Sequence, residues 1–446
     1  MRAVANIFKG GAHPPDSKAM AEASPLRRIP LPGMLTISMS QHLGAPAIPC
    51  VAVGDHVAKY QPIARQKGLI SADIHAPSAG VVKEILPSAP TPSGRSAPAM
   101  VIETEDSGDE QPLAPLPEWS RLAHDDLVGR VREAGIVGMG GAGFPTAVKL
   151  FPPIDKPIDT IIVNGAECEP YLCADSRLMV EHADEIAEGC AIMRRILSAK
   201  TIRVAIEENK PEAMRAMEKA FSAIDGDVAM LPLRTLYPQG AEKMQIFAAT
   251  GRTVPMGGLP MDVGCVVENA GTVFAIREAV VRGIPLVERA TTVAGGAAAS
   301  GANLVAPIGT PFSELVSAAG GTRGEVAKVI CGGPMMGFAL PSLSVTTTKT
   351  SSGLLLFAPD DVECFSSTPC INCARCVDAC PLRLMPNMMS RAVEADDIDL
   401  AERTGVMDCF ECGACAYVCP ARRPLVQHFR RAKAIIMARR RAAASR

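Results

Sequence analysis

Eight of the fifteen cysteines fall in two copies of one run near the C-terminus. The first is Cys370-x-x-Cys373-x-x-Cys376-x-x-x-Cys380-Pro381, and the second is Cys409-x-x-Cys412-x-x-Cys415-x-x-x-Cys419-Pro420. This spacing suits a cubane [4Fe–4S] cluster. Three close thiolates wrap three corners of the cube, with turn amides aimed at its sulfurs. The fourth cysteine starts a helix and points away, and where two such runs occur it ligates the other cluster. The expected sets are therefore crossed, with Cys370, Cys373, Cys376 and Cys419 in one and Cys409, Cys412, Cys415 and Cys380 in the other. Zinc favours two separated CxxC pairs, and nothing in the sequence suggests the secretory route that disulfides need. Cys50, Cys168, Cys173, Cys190, Cys265 and Cys331 read as core thiols, and Cys364 as unligated because both sets are complete. Two neighbouring clusters make an electron relay, so the rest of the chain is the place to look for an electron entry point.

Gly138-Met-Gly140-Gly141-Ala-Gly143-Phe144-Pro145 contains GxGxxG, but a helix and a short Ile-Val precede it instead of the long strand of a dinucleotide-binding unit. Pro145 suits the first turn of a helix. Glycine amides and a helix N-terminus would then point into one space, which attracts phosphate. Lys149, one turn on, would add a cation, and the glycines admit a flat ring close to the backbone. Taken singly, Asn164 and Asn269 would more often cap a turn or helix, Glu167 could lie on the surface, and His13 reads as a turn residue. Met214 and Met217 read as packing.

The elements that must position these groups follow from pattern. The 446 residues imply two to four domains. Hydrophobic residues make up 48%, so the chain buries cores, and 38 Gly with 37 Pro predict many turns. A net charge of −2 excludes a globally basic nucleic-acid binder. No secretory pattern opens the chain, and no stretch approaches the roughly 20 apolar residues of a membrane span. Residues 1–118 read as a β-rich unit, with short strands at 51–57 and 74–82 and a Pro- and acid-rich linker at 87–117. Residues 119–285 alternate helix and strand: helix 125–134, strand 160–163, strand 202–206, helix 211–224, strand 231–236, helix 241–249, helix 269–282. That is a mostly parallel sheet with ligands at the strands' carboxyl ends. Residues 286–358 read as a small β-grasp-like unit, with strands at 291–293, 328–330 and 354–357. Residues 359–446 form the cluster unit. Its tail carries Arg422, Arg423, Arg430, Arg431, Lys433, Arg439, Arg440, Arg441 and Arg446 with no acid after Glu411, which suits either a solvated helix or a contact with an acidic partner or anionic membrane.

The glycine loop, with Lys149, resembles that of the flavin- and NADH-binding subunit of respiratory complex I. Asn164-Gly-Ala-Glu167-Cys-Glu169-Pro170, Tyr237-Pro-Gln-Gly240-Ala-Glu242 and Glu268-Asn269-Ala-Gly-Thr272 continue that resemblance in order. Val51–Val57 and Ile74–Val82 resemble the hairpins of lipoyl- and biotinyl-type barrel-sandwich domains, without their modified lysine. With Gly10-Gly-Ala-His13-Pro14-Pro15-x-x-Lys18 and the doubled cluster run, the chain resembles the RnfC family of Rnf electron-transport complexes over nearly its whole length. The resemblance implies a doubly wound α/β flavin/NADH domain like that of the complex I protein. A barrel-sandwich domain, a β-grasp-like domain and a helical ferredoxin-type domain with two [4Fe–4S] clusters would accompany it. It implies that Gly138, Gly140, Asn164 and Asn269 hold FMN, with Gly141 and Gly143 in the same loop and Tyr237, Gly240 and Thr272 beside it. Lys149 would meet the FMN phosphate or polar edge and Phe144 would stack on a ring of NADH. Glu169 and Glu242 would bind the ribose or adenine side, and Glu167 lies in the same motif. Ala241-Glu242 replaces a Glu-Glu of the complex I protein and Gly165-Ala166 an Ala-Asp, and both changes weaken the dinucleotide-side contacts. The implied role is electron entry at the cytoplasmic face of a bacterial inner membrane, held there peripherally. Its partners would be membrane subunits, a ferredoxin-like subunit and, through the complex, ferredoxin or flavodoxin. The rivals are a relay module without a nucleotide site and a cobalamin-reductase-type flavin/iron–sulfur protein.

Overall fold

The computed structural model describes residues 2–444; Arg446 of the basic tail lies outside them. At its centre is a four-stranded parallel sheet in the order Asp227–Leu233, Thr201–Glu207, Thr160–Gly165, Cys265–Asn269. The middle strand Thr160–Gly165 is apolar on both faces, as a parallel strand covered on both sides must be. Ile161 and Val163 face a core with Ile186, Ile192 and Ile276, while Ile162 packs with Leu231, Ile246 and Val267. The expected helices appear at His124–Glu133, Pro211–Phe221, Glu242–Thr250 and Ala270–Val281. Two further helices, Ala174–Glu181 and Ala183–Leu197, lie between the strands Thr160–Gly165 and Thr201–Glu207. Register places Asn164 opposite Asn269 at the carboxyl ends of adjacent strands.

The N-terminal unit is two small antiparallel sheets. One orders Met34–Ser38, Ser96–Glu105, Ala79–Pro90, His56–Val57, and the other Ile48–Pro49, Pro62–Arg65, Ile74–His75. The expected linker from 87 onward is instead largely a hairpin. Thr91 closes its turn by donating both its amide and its hydroxyl to Arg95 O, and Gly94 supplies a φ of +72°. The many prolines hid this pairing, but Met100 and Ile102 alternate into the core as a half-buried strand requires. That core is continuous with the α/β core, where Ile63, Ile74 and Ile102 meet Val131 and Ile136. Cys50, expected inside, is exposed near a strand end.

The first thirty residues do not join these sheets. Ala3 N donates to Met230 O and Asn6 N to Ala248 O, so the start of the chain lies along the α/β unit. Leu26–Arg28 then adds in parallel to the β-grasp-like sheet, whose order is Leu26–Arg28, Ala302–Pro307, Glu288–Ala294, Gly353–Phe357, Lys328–Cys331, Phe338–Ala339. The cluster unit is built from short helices around Phe429, Met389, Val393 and Ile398. Its long final helix, Leu425–Ala444, lies on Pro386–Glu394 and Ile398–Arg403.

Candidate functional site

The two cysteine runs fold into two separate cavities. One is lined by Cys370, Cys373, Cys376 and Cys419, with Asn387 and Pro420. The other is lined by Cys380, Cys409, Cys412 and Cys415, with Pro381 and Met389. Each cavity thus takes three thiols from one run and the fourth from the other. The cause is local: a single helical turn, Arg375–Asp378 or Ala414–Tyr417, carries the chain away before its last cysteine. Non-glycine residues Asn372, Ala374 and Glu411 and glycine Gly413 take positive φ to wrap the loops. Among the described residues, no group of three or more His, Cys, Asp or Glu side chains is arranged to hold a single metal ion. Four thiols line each cavity, in the spacing that suits a multi-atom cluster. Burial pushes the Cys412 thiol up to about 12 and raises Cys415 further; a bound cationic metal core would offset that and hold them as thiolates.

The glycine loop stands at the carboxyl edge of the parallel sheet. Gly138 N donates to Phe144 O at 2.8 Å, closing the loop, and Met139 N donates to the Thr272 hydroxyl at 2.9 Å. Between those ties Gly140, Gly141 and Ala142 are exposed or nearly so, and no described residue accepts from their amides. A Cβ at Gly140 would come within 3.0 Å of the Asn269 Cβ. One at Gly240 would lie 3.8 Å from Asn164 Oδ1 and 3.3 Å from the Cys168 sulfur. The fold therefore brings Gly140, Asn269, Asn164 and Gly240 into one continuous edge, with free amides above it. That edge fits a flat group close to the backbone.

The asparagines are themselves fixed. Asn164 Nδ2 donates to Gly240 O at 2.8 Å. Asn269 caps the helix Ala270–Val281 by accepting from Gly271 N, and its Nδ2 donates to Asp175 at 2.6 Å. Arg289, buried and reaching over from the β-grasp-like unit, donates to Met139 O. Neither Arg289 nor Asp175 stands in a motif, so spacing held no signal for them. Lys18 does stand in a motif: its ammonium is buried against the Glu167, Glu169 and Leu172 carbonyls and pins the loop after strand Thr160–Gly165.

Several expected ligands have partners within the protein. The helix after Pro145 is one turn, Thr146–Lys149, too short for an appreciable dipole, so attraction for an anion falls to the loop amides. Lys149 Nζ lies 2.9 Å from Glu242, 2.9 Å from Val267 O and 3.7 Å from Glu268. Burial alone would lower its pKa, but Glu268 and Glu242 raise it above its ordinary value, while burial pushes Glu268 up to about 7. Glu167 accepts from Asp175 N and Ser176 N at the start of helix Ala174–Glu181. Glu169 accepts from Met335 N and Met336 N, and burial pushes it up to about 7. Phe144 is half-buried, and Gly143, at φ +69°, packs on Gln41 and His42 of the N-terminal unit. Tyr237 points its hydroxyl to Cys412 O, 2.6 Å away, so the sheet edge and the second cysteine cavity are in direct contact.

Comparison with known proteins agrees with this layout. The family model for the Nuo51 FMN-binding domain matches residues 131–278, that for the RnfC barrel sandwich hybrid domain residues 6–107, and that for a 4Fe-4S dicluster domain residues 364–420. An NAD+-reducing [NiFe]-hydrogenase crystal structure in the H2-reduced state shares the fold at a TM-score of 0.50 and 19% identity, over 72% of this chain and 64% of that one. The C subunit of an ion-translocating oxidoreductase complex from Pseudomonas aeruginosa is 43% identical over 98% of this chain, which spans 56% of that longer relative. The C subunit of the proton-translocating ferredoxin:NAD(+) oxidoreductase complex of Clostridium ljungdahlii is 46% identical over 95% of this chain and 92% of its own length. With that identity across nearly all of both chains, the protein belongs to the RnfC family of ion-translocating oxidoreductase complexes.

Proposed function

We propose that the chain is the electron-entry subunit of an ion-translocating membrane redox complex, passing electrons between NADH and a ferredoxin or flavodoxin. The observation that carries this is the contact between the two halves of the site, where the glycine-loop edge meets the second of two four-thiol cavities through Tyr237. Bound at that edge, FMN would exchange a hydride with nicotinamide and single electrons with the clusters, since a hydride carries two electrons and a cubane takes one. The chain's own part is to bind and orient. Gly140 and Gly240 keep the edge free of side chains, and Asn164 and Asn269 hold it rigid. The Gly140 to Ala142 amides offer donors to an anion. Cys370, Cys373, Cys376 and Cys419 would hold one cluster, and Cys380, Cys409, Cys412 and Cys415 the other. The first set has Cys373 exposed and Cys376 buried, whereas in the second both Cys412 and Cys415 are buried, so the first is the more open of the two, an order suited to relay from the sheet edge to a partner.

The relatives' names make them C subunits of ion-translocating complexes, which supports other subunits of such a complex as partners; membrane subunits among those partners, and a place at the cytoplasmic face of a bacterial inner membrane, are part of the same proposal. Among the described residues no helix is long and apolar enough to cross a membrane, so attachment would run through those partners. The test is to purify the chain anaerobically, measure flavin and iron per chain, and add NADH. Bound flavin that bleaches with NADH is the expected result. Full iron with no flavin would favour a relay without its own nucleotide site.

A further inference from the structure

Apart from Lys18, the N-terminal motif lends no side chain to the glycine-loop edge, yet its residues 10–12 are stitched into the junction between that edge and the second cavity. Gly11 N donates to Ala379 O at 2.9 Å, next to Cys380. Ala12 N donates to Tyr237 O at 2.7 Å, and Tyr237 N returns a bond to Ala12 O at 3.0 Å. Both glycines are required by the backbone. Gly10 has φ +94°, and a Cβ there would come within 2.9 Å of Cys380 O; Gly11 has φ +89° and would meet Tyr237 O at 2.8 Å. Ala12, Tyr237, Cys412 and Ala414 form one small buried core with Cys168, Met335 and Phe410 packed on it. Two of the four thiol residues of the second cavity, Cys380 and Cys412, are thus held through their backbone by a strap and a tyrosine that ligate nothing themselves.

We propose that Tyr237 is a positioning residue that sets the reduction potential of the cluster in the second cavity, with residues 10–12 as the strap that holds it in place. The inference rests on a cubane being held by Cys380, Cys409, Cys412 and Cys415. Tyr237 is 2% exposed, so water does not replace its hydroxyl when it is removed. The hydroxyl proton points to the carbonyl of a ligand residue at 2.6 Å. The positive end of that dipole lies toward the cavity in a dry environment, where it favours the more negative, reduced state of the cluster. Hydrogen bonding and solvent exposure are the levers by which proteins tune such potentials. The same hydroxyl is buried between the sheet edge and the cavity, so the tuning acts at the first step away from the edge.

The test is Tyr237→Phe in the full chain, with iron and flavin content measured and both clusters titrated potentiometrically by low-temperature electron paramagnetic resonance. Cys419→Ala, which lacks one ligand of the other cavity, assigns the two midpoints. The expected result is unchanged iron and flavin, with the second-cavity midpoint moved negative by about a tenfold change in its reduction equilibrium, or ~59 mV for one electron, and the other midpoint unmoved. Unchanged midpoints for both clusters would overturn the proposal. Gly10→Ala gives an independent check, because its Cβ presses on Cys380 O; it should also move only the second-cavity midpoint, and equal shifts in both would count against the strap. A wild-type protein without any cubane signal would instead defeat the ligand assignment beneath the proposal.

Discussion

Cys380 and Cys419 each leave the run in which they stand and line the cavity of the other. The doubled spacing made this exchange of fourth thiols legible as a layout, because within each run the last cysteine stands beyond a helical turn from the other three; ligation of clusters by these sets belongs to the proposed function. Replacing Cys419 by Ala should therefore strip the cavity of Cys370, Cys373 and Cys376 and spare the one lined by Cys409, Cys412 and Cys415. Iron per chain should fall toward half, with one of two resonance signals lost. Loss of the other signal would contradict the crossing. The roles of Glu167, Glu169 and Lys149 were less legible. All three stand in the motifs expected, but their polar atoms are taken by Asp175 N, by the Met335 and Met336 amides, and by Glu242 with Val267 O. The Tyr237–Cys412 contact spans 175 residues of sequence, and no local pattern announces such a pair. Gly140 needs no positive φ; its constraint is space beside Asn269, while the conformational demand falls on Gly143.

At the scale of elements, the parallel sheet was readable from its apolar runs, whereas strand Leu26–Arg28 was not, because it pairs with residues far along the chain. The final helix changes the meaning of the basic tail. Arg430 and Lys433 pair with Glu411, Arg431 with Asp396, Arg439 with Asp399 and Arg440 with Glu402. The exposed pairs of Arg431, Arg439 and Arg440 contribute about 0–1 kcal/mol each, so the helix is held chiefly by Leu425, Phe429, Ala432 and Ile436, which are buried, with the half-buried pairs on Glu411 beside them. Removing residues 430–446 takes two of these from the cluster core. Iron content should fall while flavin content holds, as metal analysis and absorbance of the truncated chain would register; full iron would show that the core stands without them. A second element-scale prediction concerns Lys349, buried between three units with its amine on Asp73 O and Gly135 O, both at 2.7 Å. Burial pulls its pKa down from 10.5 to about 7, against the pull of Asp73. A neutral amine still donates to both carbonyls. Between pH 7 and 10.5 the unfolded chain binds the extra proton, so stability should rise with pH across that window and fall as pH drops toward 7. Unfolding midpoints of wild type should climb over that range relative to Lys349→Met; parallel curves would contradict a neutral folded lysine.

For the molecule as a whole, the order of units was readable, but their union was not. The N-terminal and α/β units share one core through Ile74, Ile102 and Ile136, and Gly143 of the glycine loop rests on Gln41 and His42. Such contacts come from tertiary packing and leave no periodic trace. Because much of the tail's charge is paired internally, the isolated chain should bind anionic vesicles weakly and leave them at moderate salt, where the Debye length is about 8 Å. Flotation with neutral and anionic vesicles measures this. Retention on neutral vesicles at high salt would reveal a lipid-inserting element.

The proposed function joins, in one chain, a nicotinamide-reactive flavin edge to two clusters. Its most direct test supplies electrons from reduced methyl viologen, two per NAD+, and follows NADH formation by absorbance in wild type and in Gly140→Val. The valine branches would occupy the space beside Asn269 that keeps the edge open. Wild type should form NADH, and the variant should lose that activity by roughly tenfold or more, with iron content unchanged. Equal rates in the two proteins, at equal iron, would contradict it.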